Sequence, residues 1–189
     1  MADTVPPSPP AVSSRDTDPF VILGIVPEFN IDPQRLRGAW MRLAMNAHPD
    51  GLIRSDDSDA LSGASIVNRA YQTLRDPLAR AIVLLEHFNA PASPANSLPS
   101  NFLVELMELR ERADAVHADH SAMRALRTDV AAQRADAIAS IAAGFAAHAH
   151  SGGPMTADIA HDIRMQLNVT RSLDRVLEQL ERERGTIEP

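Results

Sequence analysis

The chain has 189 residues, enough for one large domain or two small ones, and is 44% apolar and 4% aromatic, with no cysteine. A net charge of −7, spread along the whole chain, excludes the basic surface that general nucleic-acid binding needs. The missing cysteines exclude disulfides and thiolate metal sites. Residues 1–17 are rich in Pro and Ser and read as a disordered tail, because they hold too little apolar surface to offset the entropy of ordering. They show neither the positive start nor the apolar stretch of a signal peptide, and no apolar run nears the ~20 residues of a membrane span. The expected compartment is the cytoplasm.

The first helix signal is Asp18-Pro19, a capping acceptor followed by Pro at the first helical position. It opens a short helix, Phe20 to Leu23, that Gly24 ends. Asp32-Pro33 repeats the device and starts a longer helix with a stripe of Leu36, Trp40, Leu43 and Ala47. His48-Pro49 stops that helix, since the residue before Pro is pushed out of helical dihedrals. Residues 51–58 are polar and acidic and read as an exposed loop. Helical periodicity resumes with Leu61, Ile66, Ala70, Tyr71 and Leu74. Asp76-Pro77 then starts a further helix through Leu78, Ile82, Leu85 and Phe88.

Residues 90–100 contain three prolines and no charge, which makes them a semi-rigid linker and a natural domain boundary. Three long helices follow, roughly 101–118, 120–149 and 156–184, with Ser151-Gly152-Gly153-Pro154 separating the last two. Met123, Leu126, Val130, Ile138, Ile141 and Phe145 form one apolar face; Ile159, Ile163, Leu173, Leu177 and Leu180 form another. Short connections imply antiparallel neighbours and a three-helix bundle. The expected fold class is all-α. Its parts are a tail at 1–17, an N-terminal helical domain at 18–89, a linker at 90–100 and a C-terminal bundle at 101–185.

The helix after the linker carries more apolar surface than one buried stripe requires. Phe102, Leu106, Leu109, Ala113 and Val116 account for the stripe and leave Leu103, Val104 and Met107 outside it, bordered by Glu108 and Glu111. The pattern alone leaves two uses open, a partner-binding surface or packing against the N-terminal domain. His117, His120, His148 and His150 read as solvated helix-end residues, and no further ligands accompany them at metal-binding spacing. No Ser/His/Asp arrangement, phosphate loop or paired carboxylate motif stands out, so no catalytic residue, metal or cofactor is expected.

His48-Pro49-Asp50 lies between two amphipathic helices, and this hairpin resembles a J-domain over Asp18 to about Ala81. Phe20-Val21-Ile22-Leu23-Gly24 is similar to the first-helix motif, Ala39-Trp40-Met41-Arg42-Leu43-Ala44-Met45 to the second, and Asn68-Arg69-Ala70-Tyr71-Gln72-Thr73-Leu74 to the third. The resemblance implies that His48, Pro49 and Asp50 trigger ATP hydrolysis by a DnaK-class heat-shock chaperone, with Arg37 and Arg42 contacting it. Pro49 would hold the polar side chains in place, and Asp50 could accept charge-assisted hydrogen bonds from an Arg of the partner. This sequence departs from the pattern at Met41 and Asn46, positions usually basic, and at Gly51, where a basic residue usually follows the tripeptide.

Tyr71-Gln72-Thr73-Leu74-Arg75-Asp76-Pro77-Leu78-Ala79-Arg80-Ala81, then the Pro-rich linker, then Phe102-Leu103 and Met107-Glu108-Leu109-Arg110-Glu111, narrow the resemblance to the HscB family of iron–sulfur cluster assembly co-chaperones. It implies an L-shaped molecule in which the J-domain hairpin packs against the three-helix bundle. The J-domain would recruit an HscA or DnaK-class chaperone and stimulate its ATPase, while the bundle binds an IscU-like scaffold. The scaffold contacts carried over by position are Leu103, Val104, Met107, Glu108, Glu111 and Val169, the last standing where the family often has Phe.

Overall fold

The structure, a computed structural model, describes residues 18–46, 57–92, 98–116 and 119–187. These hold seven helices: α1 Pro19–Leu23, α2 Pro33–Asn46, α3 Asp57–Arg75, α4 Pro77–His87, α5 Ser100–Ala115, α6 His120–Ser151 and α7 Ala157–Ile187. No strand occurs among the described residues, as the all-α reading expects. The chain forms two compact units that divide between Val83 and Leu84. The N-terminal tail, the 51–58 loop apart from the start of α3, and His48-Pro49-Asp50 lie outside the described residues.

Each Asp-Pro start acts as the sequence implies. Asp18 Oδ1 accepts from the Phe20 amide at 2.9 Å, and Asp32 Oδ1 from the Gln34 amide at 2.9 Å. Asp76 caps α4 through the Ala79 amide at 2.9 Å. Each carboxylate satisfies an amide that has no partner inside the helix, and each Pro occupies a position whose missing N–H costs nothing. Asp119 opens α6 in the same way without Pro, accepting from Ser121 and Ala122. The amides of Ala122 and Ser121 hold its carboxyl below the usual range. Gly24 ends α1 at φ 62°, a left-handed conformation that glycine adopts without a Cβ penalty.

In the first unit α3 packs against both α1 and α2. Phe20, Leu23, Ile25, Phe29, Leu36, Ala39, Ala70 and Leu74 are buried. Trp40 is half-buried: its ring stacks on Tyr71 at 5.0 Å, and its Nε1–H donates to Asn68 Oδ1 at 2.7 Å. Arg80 ties the end of this unit together. Its guanidinium donates to the carbonyls of Leu74 (2.7 Å), Arg75 (3.3 Å) and Phe29, and lies over the Phe29 ring 5.3 Å from the centroid.

In the second unit α5, α6 and α7 enclose one core that includes Phe102, Leu106, Leu109, Met123, Leu126, Leu173 and Leu180. The partner pairs fix the helix directions. Gly144 faces Ile163 and Arg134 pairs with Asp174, so rising numbers on α6 meet falling numbers on α7 and the two run antiparallel. Gln179 on α7 donates to Asp114 on α5 at 2.8 Å, tying those two helices together. Arg164 on α7 reaches back to the chain after α4, donating to Pro91 O at 2.5 Å and Ala90 O at 3.4 Å.

Two expectations change here. The division of the chain falls within α4, not in the Pro-rich stretch 90–100, because the end of α4 packs with the bundle. Leu84 and Leu85 are buried, and the Phe88 ring meets Phe145 and His148 of α6 at 6.5 and 4.6 Å. His148 is therefore not a solvated helix-end residue: it is 8% exposed, and its Nδ1 has no hydrogen-bond partner. His117 lies outside the described residues, while His120 and His150 are exposed.

Gly144 sits where α6 crosses α7. A Cβ built there would lie 2.7 Å from Ile163 Cγ1 and 3.2 Å from Cδ1, and Ile163 is a fully buried, β-branched side chain with little rotamer freedom. Gly144→Ala should therefore lower bundle stability by about 1–2 kcal/mol in thermal unfolding, despite the better helix propensity of Ala. In an Ile163→Ala background the same change should turn stabilising, by up to about 1 kcal/mol. Equal effects in both backgrounds would show that the crossing does not constrain this position.

Candidate functional site

Among the described residues the candidate side chains lie on two exposed helix faces, one on each unit. On α5 the buried side is Phe102, Leu106, Leu109 and Ala113. The opposite side presents Leu103, Val104 and Met107, which are 48, 59 and 63% exposed, with Glu108 and Glu111 also exposed. At about 100° per residue these five span roughly 140° of the helix circumference without interruption. They form one apolar strip with an acidic border. Such exposure leaves them no packing role in the second unit.

Val169 does not join them. The reading by position placed it at the scaffold contact, but it is 7% exposed and belongs to the core that Phe102 and Leu106 share. A side chain so buried is part of the bundle core and offers a partner little surface.

On α2 the buried side is Leu36 and Ala39, with Trp40 and Leu43 half-buried. Arg37 and Arg42 are exposed and make no hydrogen bond or ion pair among the described residues. Arg35, by contrast, is paired with Glu28 at 3.4 Å. Met41 and Met45 are 45 and 75% exposed on the same side of the helix. His48, Pro49 and Asp50, which follow α2 in the chain, lie outside the described residues, so the structure brings together Arg37 and Arg42 alone of the five chaperone-contact candidates. Sequence reasoning flagged Met41 only as a departure and gave Met45 no separate role. Its signal was the spacing of four that puts both on the face of Arg37.

Neither face offers an enclosed cavity or a constellation of reacting groups. Among the described residues no cluster of three or more His, Asp or Glu could hold a metal, and no helix is long and apolar enough to cross a membrane. What the faces offer is contact area: one apolar with acidic edges, the other apolar with basic edges.

The fold is that of co-chaperones built from a J-domain and a helical C-terminal bundle. The structure of the chaperone HscB from Vibrio cholerae matches with a TM-score of 0.71 at 25% identity, covering 90% of this chain and 99% of that one. Human co-chaperone HscB matches in fold, with a TM-score of 0.73 at 21% identity, covering 96% and 86%. Residues 98–181 match the family model described as the HSCB C-terminal oligomerisation domain. A co-chaperone protein HscB homolog from Chromobacterium violaceum is 39% identical over 58% of this chain, a stretch that spans 65% of that relative, just under two thirds of its length. One from Bordetella pertussis is 32% identical over 60% of this chain and 69% of the relative. The chain belongs to the HscB co-chaperone family.

Proposed function

We propose that this protein is a co-chaperone that binds an IscU-like iron–sulfur scaffold through the exposed face of α5. It brings the scaffold to an HscA or DnaK-class chaperone and stimulates that chaperone's ATPase during cluster transfer. The observation that carries this reading is the uninterrupted strip of Leu103, Val104 and Met107 on a helix whose other side is fully committed to the core. A contiguous apolar patch rimmed by acidic residues is the usual mark of a surface for another protein. The two faces sit on two units, the first acting as the J-domain and the second as the scaffold-binding bundle. A bivalent arrangement raises the effective concentration of client at chaperone without any further contact. The protein acts in the cytoplasm, catalyses no covalent step itself and needs no cofactor of its own; the cluster is cargo.

Steady-state ATP hydrolysis by the chaperone, with and without scaffold, tests this. Stimulation should be greatest when scaffold is present, and His48→Gln should remove it while leaving scaffold affinity unchanged. Stimulation indifferent to the scaffold would instead mark a general J-protein with another client. No stimulation of any chaperone would leave only a helical adaptor.

A further inference from the structure

Resting on that reading, we propose that the chaperone-docking face of α2 is an apolar strip, Met41 and Met45, flanked by Arg37 and Arg42, and that it fits a chaperone groove that is itself apolar with acidic margins. Arg37, Met41 and Met45 follow one another at intervals of four, one helical turn apart, and Arg42 lies beside them; together they span roughly 140° of the helix surface. The rest of the circumference is already used. Leu36 and Ala39 are buried, Leu43 is half-buried, and Trp40 is held by Asn68 and Tyr71. The exposed arc contains no acid, because α2 has none.

The charges on this arc are few but free. Of the three arginines on α2, Arg35 is engaged by Glu28, which leaves Arg37 and Arg42 as the cationic groups facing outward. On a chain of net charge −7 they make a small positive island. An acidic margin on the partner is what two unpaired guanidinium groups select. Between them, two thioethers 45 and 75% exposed select a groove rather than a charged plane. Unbranched and polarisable, Met adapts its shape to such a groove. A fully basic face would bind through screened Coulomb attraction. This one binds chiefly by burying apolar surface, which salt hardly weakens.

The test is the affinity of the full-length chain for the ATP-bound chaperone, measured by calorimetry at several NaCl concentrations. The wild type should lose no more than about threefold in affinity between 50 and 300 mM NaCl, because only two charges are screened. Met41→Ala with Met45→Ala should weaken binding roughly 10- to 100-fold at every salt concentration. Alanine keeps the helix intact, and unchanged circular dichroism would verify this. Met41→Lys should make the salt dependence steeper. If the double alanine variant binds as tightly as wild type while Arg37→Ala with Arg42→Ala abolishes binding, the apolar strip is overturned and the co-chaperone reading stands. If the wild type binds and stimulates no chaperone, that reading falls first. A concentration-dependent dimer that the methionine variants dissolve would assign the face to a second copy of the chain and also overturn the proposal.

Discussion

Replacing Arg80 with methionine is expected to destabilise the first unit by about 3 kcal/mol in urea unfolding. The guanidinium is half-buried and donates to three backbone carbonyls, at Leu74, Arg75 and Phe29, from two segments far apart in sequence. Methionine would keep most of the aliphatic stem but remove all three hydrogen bonds; the Phe29 carbonyl would keep only the Ile31 amide at 3.1 Å, and a buried carbonyl left without a donor costs about 1–3 kcal/mol. The cation–π contact with Phe29 would go as well. Lysine should recover less than half of the loss, since an ammonium cannot serve several carbonyls from one plane. The measurement is direct because the protein's single tryptophan, Trp40, lies in this unit and reports its unfolding by fluorescence. A midpoint shift equivalent to less than about 0.5 kcal/mol would mean that water takes over the carbonyls at no cost.

The second large effect is on binding. Leu103→Ala with Met107→Ala should weaken scaffold affinity by roughly 30-fold or more in calorimetry, while the thermal midpoint of the bundle stays within a degree or two. Both side chains are about half exposed or more, so truncation removes little from the fold, and alanine is the best helix former. Leu109→Ala, two residues beyond Met107 but 1% exposed, is the contrast: it should lower stability by about 2–4 kcal/mol through the cavity it leaves. Scaffold affinity unchanged in the Leu103/Met107 variant would remove α5 as the client face. Val169→Ala belongs with Leu109, because it acts through the core.

Features written locally in the chain were legible in it. A carboxylate before Pro specifies a helix start within three residues, so α1, α2 and α4 could be located from Asp18, Asp32 and Asp76. The divided character of α5 was equally plain, since a period of 3.6 separates Leu106 from Met107 whatever the fold around them. Features that depend on distant partners were hidden. Arg80 looks like a solvated cation until Phe29, 51 positions earlier, comes within reach. Val169 sits between Asn168 and Thr170 on a helix with several apolar residues, and its burial is set only once the bundle core is assembled. His148 at a helix end reads as solvated because nothing in its neighbourhood announces Phe88.

The arginines that bind backbone carry a chemical consequence. Arg80 and Arg164 donate to peptide carbonyls, which hold no proton to gain or lose. Burial lowers the basicity of Arg80 from the ordinary arginine value and Asp76 partly restores it, but a guanidinium remains protonated in any protein. Neither end of these ties titrates. The Arg134–Asp174 pair, by contrast, depends on an ionised carboxylate. As acid neutralises carboxylates, the carbonyl ties within each unit keep their full strength, so acid takes apart the charge pairs of this chain while its backbone staples stay closed.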